Sequence, residues 1–396
     1  MNKRFVALDS LRGVAACFIV IFHFHPYSHF ADALLIRNAY LFVDFFFALS
    51  GFIILQTYGA RLQAGFGIAR FMALRFGRLV PLHLFMLALF FIYECAWAVF
   101  LGSFSDDPRP AFEGPTSIES LAANVALLNA VGLFEDLTWN TPSWSIGAEF
   151  YTYLVFGLII VLFKSRAPLG CLIAGMCGFL AMMWIRTDTT ALMDDGFTMD
   201  GFTGDGMVRC IYGFSLGALL SFTYERMHSF FGSAVITFSI IEIATVAVCL
   251  GFVIGAGDNA YSFAAPVVFA GAVYVFAQEK GVVSALLSWP WFAWLGTLSY
   301  SIYMVHIFVI LLLTNAISAA EKLFRIPLFT VMAVEGVDTE AIGRSLYQGD
   351  LAYLLLLASV IFFSSLTYRF VEAPARQYSR KLIAKMPGGS SKPDLR

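Results

Sequence analysis

The stretch LDSLRGVAACFIVIFHFHP, residues 8–26, is the first membrane-length apolar segment of the chain, yet it carries ionisable groups near both ends. Such groups are costly in hydrocarbon and usually mark a functional site. An α-helix turns about 100° per residue, so Arg12 and His23 would share one face, ~16 Å apart along the axis. His25 would point to the opposite face, near the interface. We therefore expect His23 to face the same interior as Arg12. The alternative is a structural histidine bonded to a neighbouring helix.

The composition is that of a polytopic membrane protein. The chain has 396 residues, is 59% hydrophobic and 13% charged, and has a mean hydropathy of +0.78. Soluble domains are roughly 45–50% apolar and about 25% charged. A net charge of −2 gives no reason to expect a nucleic-acid partner. The six cysteines include no Cys-x-x-Cys pair and the histidines lack a His-Glu-x-x-His spacing. We therefore expect neither disulfides nor a metal site.

Ten segments are predicted to span the membrane as helices, which makes the fold all-α. A span needs about 20 largely apolar residues. The segments that meet this requirement are 11–29, 38–57, 80–101, 143–163, 168–185, 207–223, 233–256, 261–277, 294–316 and 351–371. Basic residues concentrate in short cytoplasmic loops. The loop 58–79 holds four arginines and no acid, while the loops 102–142 and 186–206 are acidic. This pattern predicts that both termini are cytoplasmic.

The chain is expected to form one transmembrane domain followed by a short tail. The domain covers residues 1–375, and residues 376–396 form a basic cytoplasmic tail that we expect to be partly disordered. No small-residue cleavage site interrupts the first apolar run before Pro26. We therefore interpret that run as a retained helix and not as a signal peptide.

Polar residues recur in other apolar segments. Asp44 lies in the second predicted span, and Arg75 and Arg78 share one face of the next helix at i, i+3. Ser145 and Glu149 follow at i, i+4, just below the predicted outer surface. The two arginines could bind phosphates, or they could simply anchor their helix at the cytoplasmic border.

The ninth predicted span carries a polar stripe. Ser299, Tyr303 and His306 lie on one face of this helix, and Tyr300 lies about 100° away. Such a stripe can line a site, or it can join helices through hydrogen bonds. Two acids lie inside apolar segments with no partner at helical spacing, Glu94 and Glu242.

Taken together, these segments resemble the successive signatures of the membrane acyltransferase 3 family. The matching stretches are LDSLRGVAACFIVIFH, DFFFALSGFII, RFGRLVPLH, PSWSIGAEFYTYL, LGTLSYSIYMVH and YRFVEAP. They run from Leu8 to about Pro374. The family contains bacterial enzymes that acylate O-antigen, exopolysaccharide, Nod factor and peptidoglycan. One departure is Ser10, which stands where family members often have glycine.

The resemblance implies an integral membrane O-acyltransferase of the bacterial inner membrane. It would move an acyl group, most simply acetyl, from cytoplasmic acyl-CoA to a hydroxyl of an extracytoplasmic glycan or glycolipid. Acyl-CoA is then a substrate, and no permanently bound cofactor is expected. The family's essential arginine and histidine map onto Arg12 and His23. Its Arg-x-x-Arg maps onto Arg75 and Arg78, and the acid after its Trp-Ser maps onto Glu149.

The resemblance also suggests a role for each residue. The three arginines would bind the phosphates or the pantetheine arm of the donor, with Arg12 also contributing to catalysis. His23 would act as base or acyl relay. Asp44 or Glu149 would orient it or supply a second base. The acceptor site is expected to include Trp144, Ser145, Glu149, Tyr300, Tyr303 and His306.

Two other functions fit the same composition. A lipid or glycan transporter or flippase would carry the same buried charges without acyl chemistry, although the inverted repeats common in transporters are not evident. A non-catalytic receptor or scaffold would not need an inward His–Arg stripe. The expected partners are the lipid bilayer, acyl-CoA and the glycan or glycolipid acceptor. The sequence leaves open the acceptor's identity, the acyl chain length, direct or relayed transfer, and the oligomeric state.

Overall fold

Helices form nearly all of the regular structure. The computed structural model describes residues 4–100, 109–134, 136–187, 206–230, 235–257, 260–334 and 337–385. The α-helices in chain order are α1 (Val6–Phe22), α2 (Leu34–Arg37), α3 (Phe42–Gln63), α4 (Ile68–Val99), α5 (Ile118–Val125), α6 (Trp144–Phe163), α7 (Ala167–Thr187), α8 (Gly206–Phe230), α9 (Val235–Ala256), α10 (Ala265–Phe276), α11 (Val282–Leu287), α12 (Pro290–Phe324), α13 (Leu346–Thr367) and α14 (Ala373–Ala384). Short 3₁₀ helices lie at Ala39–Leu41, Gly114–Thr116, Thr141–Ser143, Lys164–Arg166 and Ala260–Ala264, and a π-helix lies at Tyr368–Glu372.

Within the described residues, seven helical segments are long and apolar enough to cross a membrane. They are Ala39–Gln63, Ile68–Val99, Thr141–Ile185, Gly206–Tyr224, Val235–Ala256, Pro290–Phe324 and Leu346–Ala384. The third of these contains both α6 and α7, joined by the turn at Lys164–Arg166. Each of the ten predicted spans overlaps a helix. The helical, multi-pass class is therefore confirmed, while the number ten and the cytoplasmic termini stay predictions. Most of the acidic loop at 186–206 lies outside the described residues.

The first predicted span is too long at its C-terminal end. It reaches residue 29, whereas α1 ends at Phe22 and His23 is the C-terminal cap. Pro26 disfavours helical backbone in the residue before it, and the exposed His25 lies beyond the helix. Helical periodicity therefore does not set the direction of His25.

A small sheet lies between α12 and α13. Strands β1 (Phe329–Val334) and β2 (Val337–Ile342) pair antiparallel. The backbone N–H of Tyr27 donates to Ile342 O at 2.9 Å, which ties the chain beyond α1 to this sheet. The predicted all-α fold misses the sheet because its strands are six residues each, far shorter than the apolar run of about 20 residues used to recognise a span.

Glycines bring α1 against α12. A Cβ atom on Gly13 would lie 2.7 Å from Gly296 N, and one on Gly296 would lie 2.3 Å from Asp9 O. The backbones can approach this closely because glycine has no side chain, a common arrangement in membrane helix pairs. The contact places α1 beside the polar stripe of α12.

The C-terminal helices pack over α4. A Cβ atom on Gly77 of α4 would lie 2.2 Å from Ser379 Cβ of α14. The boundary predicted at residue 375 falls inside α14, because Pro374 lies in the first turn of that helix, where proline is tolerated. Residues 376–384 of the predicted tail are therefore helical, and residues 386–396 lie outside the described part of the chain.

Candidate active site

Two histidines from different helices meet in the interior. His23 caps α1 and His306 lies on α12. Their ring centroids are 4.9 Å apart, and Nε2 of His306 is 3.2 Å from Nδ1 of His23. His306 is fully buried and His23 is half-buried. The pair joins the predicted catalytic histidine to a residue predicted to bind substrate.

The hydrogen-bond partners assign the proton positions on both rings. Nδ1 of His306 donates to Tyr303 O at 2.7 Å, since a carbonyl oxygen only accepts, so Nε2 of the neutral ring carries a lone pair. Nδ1 of His23 lies 2.9 Å from Ile19 O and 3.2 Å from that lone pair, so it carries the proton. Nε2 of His23 is then unprotonated and has no hydrogen-bond partner among the described residues. An imidazole in this state can accept a proton.

Arg12 forms hydrogen bonds with residues of α12 that precede His306. Its Nε donates to Ser299 Oγ at 2.7 Å, and its Nη2 donates to Gly296 O at 3.4 Å. Asp9 Oδ1 lies 3.7 Å from the same Nη2. Within the described ranges no side chain or backbone group accepts from Nη1. The guanidinium therefore has a donor to spare for an anionic ligand.

The two arginines of α4 have different surroundings. Arg75 is buried and donates to Tyr58 OH at 2.9 Å, with its guanidinium carbon 4.8 Å from the Tyr58 ring centre. Arg78 is half-buried and makes no hydrogen bond or ion pair with the residues that the structure describes. It lies within electrostatic range of Arg12 and Glu149. Arg78 is thus available to a ligand, whereas Arg75 packs against the Tyr58 ring. The buried Nε of Arg75 nevertheless has no hydrogen-bond partner among the described residues.

Glu149 belongs to a hydrogen-bonded group near these arginines. Its Oε1 accepts from the hydroxyls of Ser50 on α3 and Tyr153 on α6. The guanidinium carbon of Arg75 lies 5.8 Å from the Tyr153 ring centre. The carboxylate connects α3 with α6 and bonds neither histidine among the described residues.

Asp44 has a partner that the sequence prediction does not include. Its two oxygens accept from Arg209 of α8 at 3.0 and 2.8 Å, and both side chains are buried. Trp144 lies against the same guanidinium, with its ring centre 5.7 Å from the guanidinium carbon. The structure therefore places Asp44 and Trp144 in a buried ion-pair cluster with Arg209. A catalytic role of Asp44 stays a prediction.

Three predicted substrate residues form contacts between helices. The hydroxyls of Ser145 and Tyr303 are 2.8 Å apart, and they lie 3.0 and 3.1 Å from Pro142 O. Tyr300 donates to Leu79 O at 2.6 Å, which joins α12 to α4. These bonds fix the helices around the histidine pair. A direct contact of these hydroxyls with substrate stays a prediction.

Glu372 lies in the YRFVEAP stretch, and no role is predicted for it from the sequence. Glu372 is buried in the π-helix and accepts from Ser301 Oγ at 2.8 Å and from Arg376 Nη1 at 3.3 Å. It lies within electrostatic range of Arg12 and Arg78. π-Helical turns often occur at functional sites. An acid two residues before a signature proline could have been singled out from the sequence.

The interior thus has two zones. The arginine zone contains Arg12, Arg75 and Arg78, and the histidine zone contains His23 and His306. Ser299 and His306 are seven residues apart on α12, which separates the two zones by ~10 Å along the axis. The arginine zone can hold an anionic group, and the histidine zone can take a proton. Within the described ranges, no group of three or more His, Cys, Asp or Glu side chains is arranged to hold a metal ion.

The long apolar helices and the charged interior define a multi-pass membrane protein. Residues 5–369 match the family model described as an acyltransferase domain. The chain therefore belongs to the acyltransferase 3 family and is a membrane acyltransferase. The family and the enzyme class expected from the sequence are therefore confirmed.

Two relatives show how far the likeness extends. The chain is 35% identical over 159 residues to "Protein 2 in picA locus" of Rhizobium radiobacter, which covers 39% of this chain and 81% of that protein. It is 26% identical over 191 residues to "Putative membrane-bound transacylase BcsY" of Komagataeibacter xylinus, which covers 46% of this chain and 45% of that protein. No solved structure matches the chain.

Proposed function

We propose that this acyltransferase moves an acyl group, most simply acetyl, from acyl-CoA on the cytoplasmic side of the bacterial inner membrane to a hydroxyl of a glycan or glycolipid on the opposite side. The observation that carries the proposal is Nε2 of His23, which has no hydrogen-bond partner among the described residues and belongs to a ring oriented by Ile19 O and His306. An imidazole positioned in this way suits general-base catalysis of hydroxyl acylation.

The donor site of this proposal contains Arg12 and Arg78. Both have guanidinium donors without partners among the described residues, and arginine–phosphate bonds are charge-assisted. With the CoA phosphates in this zone, the pantetheine arm would extend along α1 towards His23, ~16 Å further by helical rise. Arg75 supports the zone through its aromatic contacts, and Glu149 and Glu372 balance its charge.

In the direct route, Nε2 of His23 removes the proton of the acceptor hydroxyl as its oxygen attacks the thioester carbonyl. A C–O bond forms, the C–S bond breaks, and the leaving CoA thiolate takes the proton from the imidazolium. In the relay route, Nε2 itself attacks the thioester carbonyl, so a C–N bond forms, the C–S bond breaks and CoA leaves as the thiolate. The acceptor oxygen then attacks the acyl-imidazolium, a C–O bond forms, the C–N bond breaks, and the hydroxyl proton passes to the CoA thiolate. Both routes require the proton on Nδ1 that Ile19 O and His306 stabilise.

The test is acyl transfer by purified protein in phosphatidylcholine nanodiscs. Acetyl-CoA and cell-envelope glycan are supplied, and free CoA is measured as thiol. Mass spectrometry of the glycan detects the mass increase of an added acetyl group. The wild type and the His25→Ala control should release CoA and label the glycan, and His23→Ala should do neither. Absence of turnover by the wild type with acetyl-CoA and with longer acyl-CoA donors would reject the proposal.

A further inference from the structure

A cavity of about 290 Å³ is lined by α4, by Arg109, Thr116 and Trp139, and by the second half of α12. Small-molecule sites begin at about 300 Å³, so the cavity suits a ligand of about the size of one sugar ring. It contains none of the residues assigned to the arginine or histidine zones. The side chains that give it chemical character are Tyr93, Glu94, Trp97, Arg109, Trp139 and Asn315.

Two indole rings form apolar walls of the cavity. Nε1 of Trp97 donates to Arg109 O at 3.1 Å, and Nε1 of Trp139 donates to Ser120 Oγ at 2.9 Å. Tyr93 stacks on Trp97, with ring centroids 6.4 Å apart and planes 29° apart. Because the indole donors are committed to the protein, these rings offer a ligand their apolar surfaces.

The ion pair in the cavity is satisfied internally. Nη1 and Nη2 of Arg109 each donate to Glu94 at 2.6 Å. Glu94 also accepts from Phe112 N and Thr116 Oγ1, each at 3.0 Å. The hydrogen bonds to Glu94 raise the pKa of Arg109, so the pair stays charged and mutually neutral. It therefore offers little net charge to an anionic ligand.

Two neutral side chains and one guanidinium N–H bring hydrogen-bonding groups to the rim. Nδ2 of Asn315 donates to Tyr93 OH at 2.9 Å. In the described part of the chain, the Tyr93 hydroxyl proton, the Asn315 carbonyl oxygen and the Arg109 Nε–H have no partner. The rim thus presents donors and an acceptor beside apolar ring faces.

We propose that this cavity binds one neutral hexose unit of the acceptor, so that the acceptor is an oligosaccharide or polysaccharide; this inference rests on the acyl transfer to a glycan proposed above. A pyranose ring has an apolar C–H face that packs on aromatic rings and edge hydroxyls that bond to neutral donors and acceptors. A lipid chain would leave the rim groups unpaired. An anionic head group would find both Nη groups of Arg109 committed to Glu94 and the charge of the guanidinium balanced by that carboxylate.

The place of the cavity along α12 indicates which sugar unit it would hold. Ser299, which binds Arg12, precedes His306 by seven residues, and Asn315 follows His306 by nine. The arginine zone and the cavity therefore lie on opposite sides of the histidine pair, ~10 Å and ~13 Å away along the axis. Reacting atoms must approach to about 3–3.5 Å. The hexose in the cavity is consequently a flanking unit, and another unit of the same glycan reaches His23.

Saturation-transfer NMR tests the cavity without acyl chemistry. Glucose, galactose, mannose and N-acetylglucosamine serve as neutral probes, and glycerol 3-phosphate serves as an anionic probe. The full-length protein is held in phosphatidylcholine nanodiscs, because a maltoside detergent would itself present glucose. The variants are Trp97→Ala and Asn315→Leu. The matched control is Trp289→Ala, which removes an exposed indole at the opposite end of α12.

We expect saturation transfer to at least one neutral probe in the wild type and in the control. The transfer should fall about tenfold or more in Trp97→Ala and in Asn315→Leu. Asn315→Leu removes a hydrogen-bonding group while it keeps the aromatic walls. The inference is overturned if no neutral probe receives saturation, if only glycerol 3-phosphate does, or if both cavity variants match the control. CoA release by the same preparation separates the two proposals. Hexose binding without acyl-CoA turnover would reject the transfer alone, and turnover without hexose binding would reject the cavity alone.

Discussion

Nε2 of His306 accepts a hydrogen bond from Nδ1 of His23 at 3.2 Å, across the contact between α12 and α1. Seven residues earlier on α12, Ser299 accepts from Nε of Arg12 at 2.7 Å. These two bonds join the same two helices, so they fix the proposed base and the proposed donor-binding cation in one register. A change in the packing of α1 on α12 would therefore disturb both together.

Replacing His23 by alanine should lower acyl transfer by about 10²–10⁴-fold, the usual loss when a general base is removed. His25→Ala should retain most activity, because His25 is exposed and lies beyond α1. Protonation of a base abolishes its function, so the wild-type rate should fall as the pH is lowered, and His25→Ala should show the same profile. CoA release normalised to protein level is the measurement. Equal losses of acyl transfer in His23→Ala and His25→Ala would contradict the assignment of His23 as the base.

Arg78→Ala should raise the KM for acyl-CoA by about 10- to 160-fold, which corresponds to ~1.5–3 kcal/mol for a lost charged hydrogen bond. Arg78→Lys should recover part of this loss, because it keeps the charge without the planar fork. Arg75→Ala should mainly lower the Tm, since Arg75 is buried against Tyr58. Steady-state kinetics and thermal unfolding distinguish the two. An unchanged KM in a folded Arg78→Ala variant would show that Arg78 only anchors α4.

Gly13→Ala should reduce acyl transfer by separating α1 from α12, because its Cβ would lie 2.7 Å from backbone atoms of Gly296 and Leu295. Overpacking of this kind costs roughly 1–3 kcal/mol. Gly255→Ala is the matched control, since a Cβ at that position of α9 meets no atom within 4 Å. Tm and CoA release are measured for both variants. A Gly13→Ala protein with wild-type Tm and activity would show that the close helix contact is unnecessary.

Glu372→Ala should lower the Tm, because it leaves Ser301 without its acceptor in a buried position, at a cost of about 1–3 kcal/mol. Glu372→Gln keeps an acceptor for Ser301 and should be more stable. It also removes a negative charge near Arg12 and Arg78, so the KM for acyl-CoA should fall. Kinetics at low ionic strength provide the measurement. A higher KM in Glu372→Gln would mean that the carboxylate helps to bind the donor.

Single cysteines in a background without the six native cysteines test the predicted orientation. Cysteines at Gln63 and Gln377, both exposed, should react with thiol reagents only from the cytoplasm. A cysteine at the exposed Glu113 should react from outside. The reason is the excess of basic residues in residues 58–79, around the turn between α3 and α4, and in the C-terminal segment. Labelling of position 63 from outside would reverse the side assigned to acyl-CoA.

The sequence by itself determined the class of this protein and the inward pairing of Arg12 with His23. Composition suffices for the class, because about 20 apolar residues per span leave a hydropathy signal in any single chain. Helical geometry suffices for the pair, because His23 directly follows the last residue of α1 and both it and Arg12 form hydrogen bonds with α12. The signature stretches, read as a resemblance, were enough to indicate the family.

Only the tertiary structure decided which residues meet across helices. His306 reaches His23 from 283 positions away, and Arg209 reaches Asp44 from 165 positions away. Glu242, which has no partner at helical spacing, accepts from backbone N–H groups at the start of α11. Spacing fixes a direction within a helix, but the rotation and depth of one helix against another depend on packing contacts made by distant parts of the chain. The glycine contact between α1 and α12 is such a contact, and it places a base predicted on one helix against its orienting partner on the other.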